Sequence, residues 1–161
     1  MVDIDGDMND VVALISADHA EIRHLFRELH HDTPTPGVHR NLVRDVLKAL
    51  IVQSEAEHRT LYPAVEGTLG REQADRLRRD HDEVESLLAV VLGASDDDVE
   101  RSALADLERV VTAHLDAEER DVLPQLAARL GIKRRSSLAI AYSQTTEAFT
   151  NVVVRTRRRA V

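Results

Sequence analysis

Cysteine is missing from this 161-residue chain, so disulfides, zinc ribbons and thiol chemistry are all excluded. No apolar run approaches the roughly 20 residues that a membrane-spanning helix needs. The opening residues, MVDIDGDMND, lack the basic and apolar regions of a secretory signal, and a cytoplasmic, soluble protein is the expectation. Strand-length alternation of apolar and polar side chains is absent as well. What remains is helical spacing nearly everywhere, in a chain long enough for one domain with a sizeable core.

Four amphipathic segments follow one another. Val11, Leu14, Ile15, Ile22, Leu25, Phe26 and Leu29 form the first apolar stripe, which ends at HHDTPTPG, where the prolines and glycine predict a loop. Leu42, Val43, Val46, Leu47, Leu50, Ile51 and Leu61 form the second, running into Pro63. Leu77, Val84, Leu88, Val91 and Leu92 form the third, before the GASDDD linker. Leu104, Leu107, Val110 and Val111 lead into the fourth, HLDAEERDVLPQL, which closes at Gly131. The fold class this predicts is all-α, an up-down-up-down four-helix bundle over residues 1–131. Residues 132–161 form a basic extension, read either as a fifth helix capped at Ser136 or Ser137 or as partly extended, with RTRRRAV as a frayed tail.

The net charge of −8 is unevenly spread. Residues 131–161 carry seven basic side chains (Lys133, Arg134, Arg135, Arg155, Arg157, Arg158, Arg159) against Glu147 alone, so the segment is +6 and residues 1–130 are −14. With only Tyr142 and Phe149 as aromatics and no nucleic-acid motif, the segment fits self-association, or docking on its own acidic bundle, better than nucleic acid.

The chain repeats itself. QSEAEHRTLYPAV (53–65) aligns with HLDAEERDVLPQL (114–126) at an offset of 61, and DHAEI (18–22) with DHDEV (80–84) at an offset of 62. Two copies of one helical hairpin are implied. His19 and His81 fall within the apolar stripes. His114 and Glu118 share a face, as do Gln53 and Glu57, because positions i and i+4 differ by only about 40° around a helix. A pseudo-two-fold packing would gather His19, Gln53, Glu57, His81, His114 and Glu118. Carboxylates and imidazoles buried together are very costly unless a cation neutralises them. Mixed N/O donors without thiolate suit iron or manganese, with zinc also accommodated.

This spacing resembles that of the hemerythrin-like, or HHE cation-binding, family in its bacterial branch, over roughly residues 10–130. The resemblance implies a four-helix bundle with a non-haem di-iron site whose ligands are His19, Glu57, His81, His114 and Glu118, with Glu57 and Glu118 bridging. The four-residue step from His114 to Glu118, and LYPAV after the helix 2 motif, are typical of that branch. Gln53 departs from the pattern, which has histidine there, so one metal position is weakened. The resemblance implies binding of O₂, NO or peroxide, with peroxide turnover of a catalase-like kind among its activities. The competing expectation is a mononuclear or degenerate site, acting as a metal store or as an interaction module.

The blander alternative for the five matching positions is a set of buried polar residues satisfied by one another. His58, adjacent to Glu57, could turn inward to replace the missing histidine, but it lies about 100° round the helix, and a rim position is preferred. Glu85 stands four residues after His81, yet its repeat partner is Arg23; ligand and surface roles both stay open. His24, His30, His31 and His39 are expected at the surface, and Tyr62 near the site as a hydroxyl or as packing. Ferritin-like bundles place Glu-x-x-His on two helices and a lone Glu on each of the others. EIRH (21–24) and EAEH (55–58) match that string only in the first two helices, without equivalents in the last two.

Overall fold

A computed structural model describes residues 9–30 and 35–158, with backbone alone for 153–158. Among these residues there is no strand, and no helix is long and apolar enough to cross a membrane. Helix α1 (Val11–His30) follows Asp10, whose side chain accepts from Val12 N–H at 2.9 Å and so satisfies one of the free donors of the first turn. Helix α2 (Pro36–Ala56) begins on a proline, which loses nothing by lacking an N–H at that position. Pro36 and Gly37 are therefore helical rather than loop residues.

The second bundle helix does not stop at Pro63. It continues through a π-helical turn, Glu57–Leu61, into α3 (Tyr62–Leu69), and ends at Gly70 with φ 100°, a conformation that favours glycine. A proline inside an α-helix lacks the i to i−4 bond and crowds the carbonyl four residues back. The π turn widens the helix at that point, with the Tyr62 N–H donating to Glu57 O and the Thr60 hydroxyl donating to Ala56 O. The second repeat does the same thing 61 residues later. Helices α4 (Arg71–Gly93) and α5 (Asp97–Ala117) are followed by a π turn, Glu118–Val122, and by α6 (Leu123–Arg129), with Pro124 in its first turn. Asp96 caps α5, accepting from the N–H groups of Asp98 and Val99.

Residues Ile132–Arg158 form one helix, α7, so the partly extended alternative is set aside. Four residues of RTRRRAV continue it as backbone; 159–161, like His31, lie outside the described residues. Helix α7 packs on α1, α2 and the first π turn, burying Leu138, Ala139 and Tyr142. Its charged contacts with the bundle include Arg135 with Asp10 at 3.2 Å, so its docking combines apolar burial with ion pairing.

The apolar interior is two clusters. One gathers Val11, Ile15, Leu61, Tyr62, Leu77, Leu126 and Tyr142; the other gathers Ile22, Phe26, Leu50, Val84, Leu107 and Leu115. Between them in chain position, on every bundle helix, sit polar side chains: His19, Gln53 and Glu57, His81, His114 and Glu118, all buried. Leu92, by contrast, is 65% exposed although its spacing suggested the core; it is in the last turn of α4, next to Val91, which takes the inward position.

Candidate metal centre

Each bundle helix delivers its polar residues at the same level, and the π turns start on the two glutamates. In a regular α-helix residues i and i+5 are about 140° apart. The i to i−5 bond of the first π turn stacks them instead, so that the Tyr62 hydroxyl reaches Glu57 Oε2 at 3.5 Å. Single π turns of this kind occur frequently at functional sites.

Glu57 and Glu118 are both 0% exposed. Glu57 turns Oε1 toward His19 Nε2 (3.7 Å) and Oε2 toward His81 Nε2 (3.0 Å). Glu118 turns Oε2 toward His19 Nε2 (3.4 Å) and Oε1 toward His114 Nε2 (3.5 Å). His81 Nε2 and His114 Nε2 are 2.9 Å apart. One donor atom from each of Glu57, His81, His114 and Glu118 falls in a group spanning no more than 4.8 Å, an arrangement that could hold a metal ion. His19 is outside this group and approaches the other oxygen of each carboxylate.

These donors are poorly satisfied by the protein itself. Among the described residues, His19 Nε2 and both carboxylate oxygens of Glu118 are buried without a hydrogen-bond partner. Buried polar groups are normally paired, and an unpaired charge is costlier still. A cation fits here: it supplies what the Glu118 oxygens and His19 Nε2 lack, and the donor set is all N and O. The electrostatics agree. Burial would lower the His19 pKa, yet Glu118 and Glu57 raise it to about 10. Burial and the neighbouring Glu57 raise Glu118, while Glu57, despite its burial, is held low by His19 and His81. The carboxylates hold positive charge in place of a cation.

The backs of the imidazoles are held too. His19 Nδ1 donates to Glu119 Oε1 at 2.9 Å, and Arg23 clamps Glu119 with N–H bonds of 2.8 and 3.1 Å. Ser54 Oγ lies 3.0 Å from His81 Nδ1, and Asp80 Oδ2 lies 3.8 Å from His114 Nδ1, near enough to attract but too far to bond. Such partners fix which ring nitrogen faces a metal. The sequence reading missed Glu119, Arg23 and Ser54. Asp80 had a signal, since an aspartate precedes the histidine in both DHAEI and DHDEV.

The remaining candidates are placed as follows. Gln53, 5% exposed, donates from Nε2 to Glu57 Oε1 at 2.9 Å, on the His19 side. His58 is half-buried; its Nδ1 donates to Ser54 O, and its ring stands edge-on to Tyr62 and His81 rather than between the carboxylates. Glu85 is exposed and accepts from Ser54 Oγ at 3.4 Å, at the back of the His81 ring. His24, His30 and His39 are at the surface, where they face Glu28, Glu108 and Glu100.

A family model described as the hemerythrin HHE cation-binding domain matches residues 10–126. No curated protein sequence matches the chain. Among solved structures, the chain is similar to the crystal structure of a hemerythrin HHE cation-binding domain-containing protein from Mycobacterium kansasii. The TM-score is 0.81 at 19% identity, over 92% of each chain, a likeness that extends past residue 126 to take in α7.

Proposed function

This chain belongs to the hemerythrin HHE cation-binding domain family, and on that premise we propose that its buried centre holds a pair of non-haem iron ions that bind or turn over a small diatomic or peroxide ligand. One observation carries the reading. Each of two fully buried carboxylates offers one oxygen to His19 and the other to His81 or His114, the disposition required of a carboxylate shared by two cations. His19 then belongs to one position, and His81 and His114 to the other. Iron held there supplies the redox and Lewis-acid chemistry that O₂, NO and peroxide require. The chain itself orients His19 and His81 through Glu119 and Ser54, sets the Asp80 charge near His114 Nδ1, excludes bulk water, and keeps the Tyr62 hydroxyl beside Glu57.

A second reading is favoured by Gln53, whose amide N–H occupies Glu57 Oε1 on the His19 side. With that oxygen engaged, a single ion among Glu57 Oε2, His81, His114 and Glu118 Oε1 is the better-supplied position. Iron content per chain after expression in iron-replete medium, measured with the near-ultraviolet spectrum, separates the two. Two irons with oxo-bridge absorption support the pair; one iron without it supports the single ion; none overturns both.

A further inference from the structure

Glu57 and Glu118 are fully buried, so any cation that reaches them needs a way in. A cleft of about 380 Å³ opens between α1, α2 and α7, with Gln53 in its lining. Its charged lining is unbalanced, Asp18, Glu21 and Asp45 against Lys48, although Asp18 accepts from the Tyr142 hydroxyl and Asp45 lies 3.7 Å from Arg44 Nε. Gln53, which lines the cleft, gives Nε2 to Glu57 Oε1, so its amide oxygen is not the atom that meets the carboxylate. A side chain of the cleft lining is thus bonded directly to a buried carboxylate.

Two smaller grooves, of about 200 and 190 Å³, approach the other side. One is lined by Ser54, at the back of the His81 ring, and the other by Asp80 and His114, at the Nδ1 edge of the His114 ring. The first also carries Glu55 and Glu85, and the second Glu83 against Arg109, but each reaches the site at the Nδ1 edge of an imidazole rather than at a carboxylate.

We infer that the α1–α2–α7 cleft is the loading route for divalent cations, with Glu21 and Asp45 drawing the ion in and Gln53 passing it from its amide oxygen to Glu57. A cleft whose lining carries an excess of one sign of charge raises the local concentration and on-rate of the opposite ion, and the amide oxygen is a neutral donor that can take an ion and release it. The inference rests on the metal-centre reading and adds a kinetic claim to it: cleft residues set how fast metal arrives and leaves, not how tightly it is held.

Cobalt(II) uptake by the metal-free full-length protein, followed by visible absorption in a stopped-flow instrument, tests this. Ala49 is one turn before Gln53 on α2 and lines the cleft, so Ala49→Phe should fill it. Uptake and chelator-driven release should both slow, on the order of tenfold, with the equilibrium Kd unchanged. Glu21→Gln with Asp45→Asn should slow uptake at low salt and rejoin the wild type at high salt. Ala113→Phe, in the groove beside His114, should leave the rate alone. Cobalt binding with wild-type kinetics in Ala49→Phe overturns the route, as does slowing by Ala113→Phe alone. If Ala49→Phe does not fold, an unchanged low-salt rate in the charge pair overturns it. Wild-type protein that binds no cobalt overturns the metal centre, and the route with it.

Discussion

His81 and His114 meet Nε2 to Nε2 at 2.9 Å inside the bundle. Neutral imidazoles carry one N–H each, so at most one hydrogen serves that contact, while Glu57 Oε2 and Glu118 Oε1 stand at 3.0 and 3.5 Å from the same two nitrogens. Four donors converging on one small volume predict a shared dependence. His81→Ala, His114→Ala and Glu118→Ala should each lower bound metal sharply, whereas His30→Ala and His39→Ala, at the surface, should leave it unchanged. Metal analysis of the purified variants checks this, and equal loss in both groups would sink the ligand assignment.

Glu119 touches the site only through the back of His19, where it is clamped by Arg23. Partners of this kind typically cost about 10–100-fold in metal affinity when removed. Glu119→Ala should therefore weaken the His19-side ion by that order, and Glu119→Gln should recover part of the loss, because its amide oxygen can still accept from Nδ1. Competitive chelation measures both. A pair of variants with wild-type affinity would reduce Glu119 to a surface ion-pair residue.

Gln53 and His114 occupy equivalent places in the two hairpins, but only His114 brings an imidazole. Chelation should strip metal in two phases, with the ion on the His19 side leaving first. Gln53→His adds a donor beside carboxylates already in place and should raise occupancy toward two per chain, with stronger near-ultraviolet absorption. Two equivalent irons in the wild type, unchanged by the substitution, would mean that glutamine is not a weakened position.

In the metal-free protein the His19 pKa is raised to about 10, against roughly 6.5 in the unfolded chain. Its contribution to stability is complete below about pH 6.5 and is lost as pH rises through about 10. Thermal denaturation of metal-free protein should show declining stability across that window. Metal affinity should run the other way, rising with pH because the cation must displace the proton that His19 holds. A metal-free protein that gains stability between pH 7 and 10 would contradict the proton placement.

Much of this was written in residue spacing. The inward positions of His19, His81, His114, Glu57 and Glu118 follow from i to i+4 geometry and the repeat, and the structure buries all five. The continuation past Pro63 was not legible, because proline usually signals a stop and nothing in the stripe announces a π turn. The pairing of Arg23 with Glu119, 96 residues apart, depends on how α1 meets the end of α5, which one-dimensional periodicity does not contain. The single-helix form of residues 132–158 was obscured by threonines and valines whose local preference leans toward strand; burial of Leu138, Ala139 and Tyr142 against the bundle outweighs it.

The division of the apolar interior into two clusters bears on how the molecule comes apart. A small domain usually melts all at once because one continuous core links every element. Here the two apolar halves are joined across a stratum whose buried atoms include several with no partner among the described residues, and a cation bound there would tie four helices together at that level. Loading would thus act on cooperativity as well as on stability: a sharp single transition with metal, and a broader one without it, in which the half containing α7 and the half containing Phe26 need not let go together.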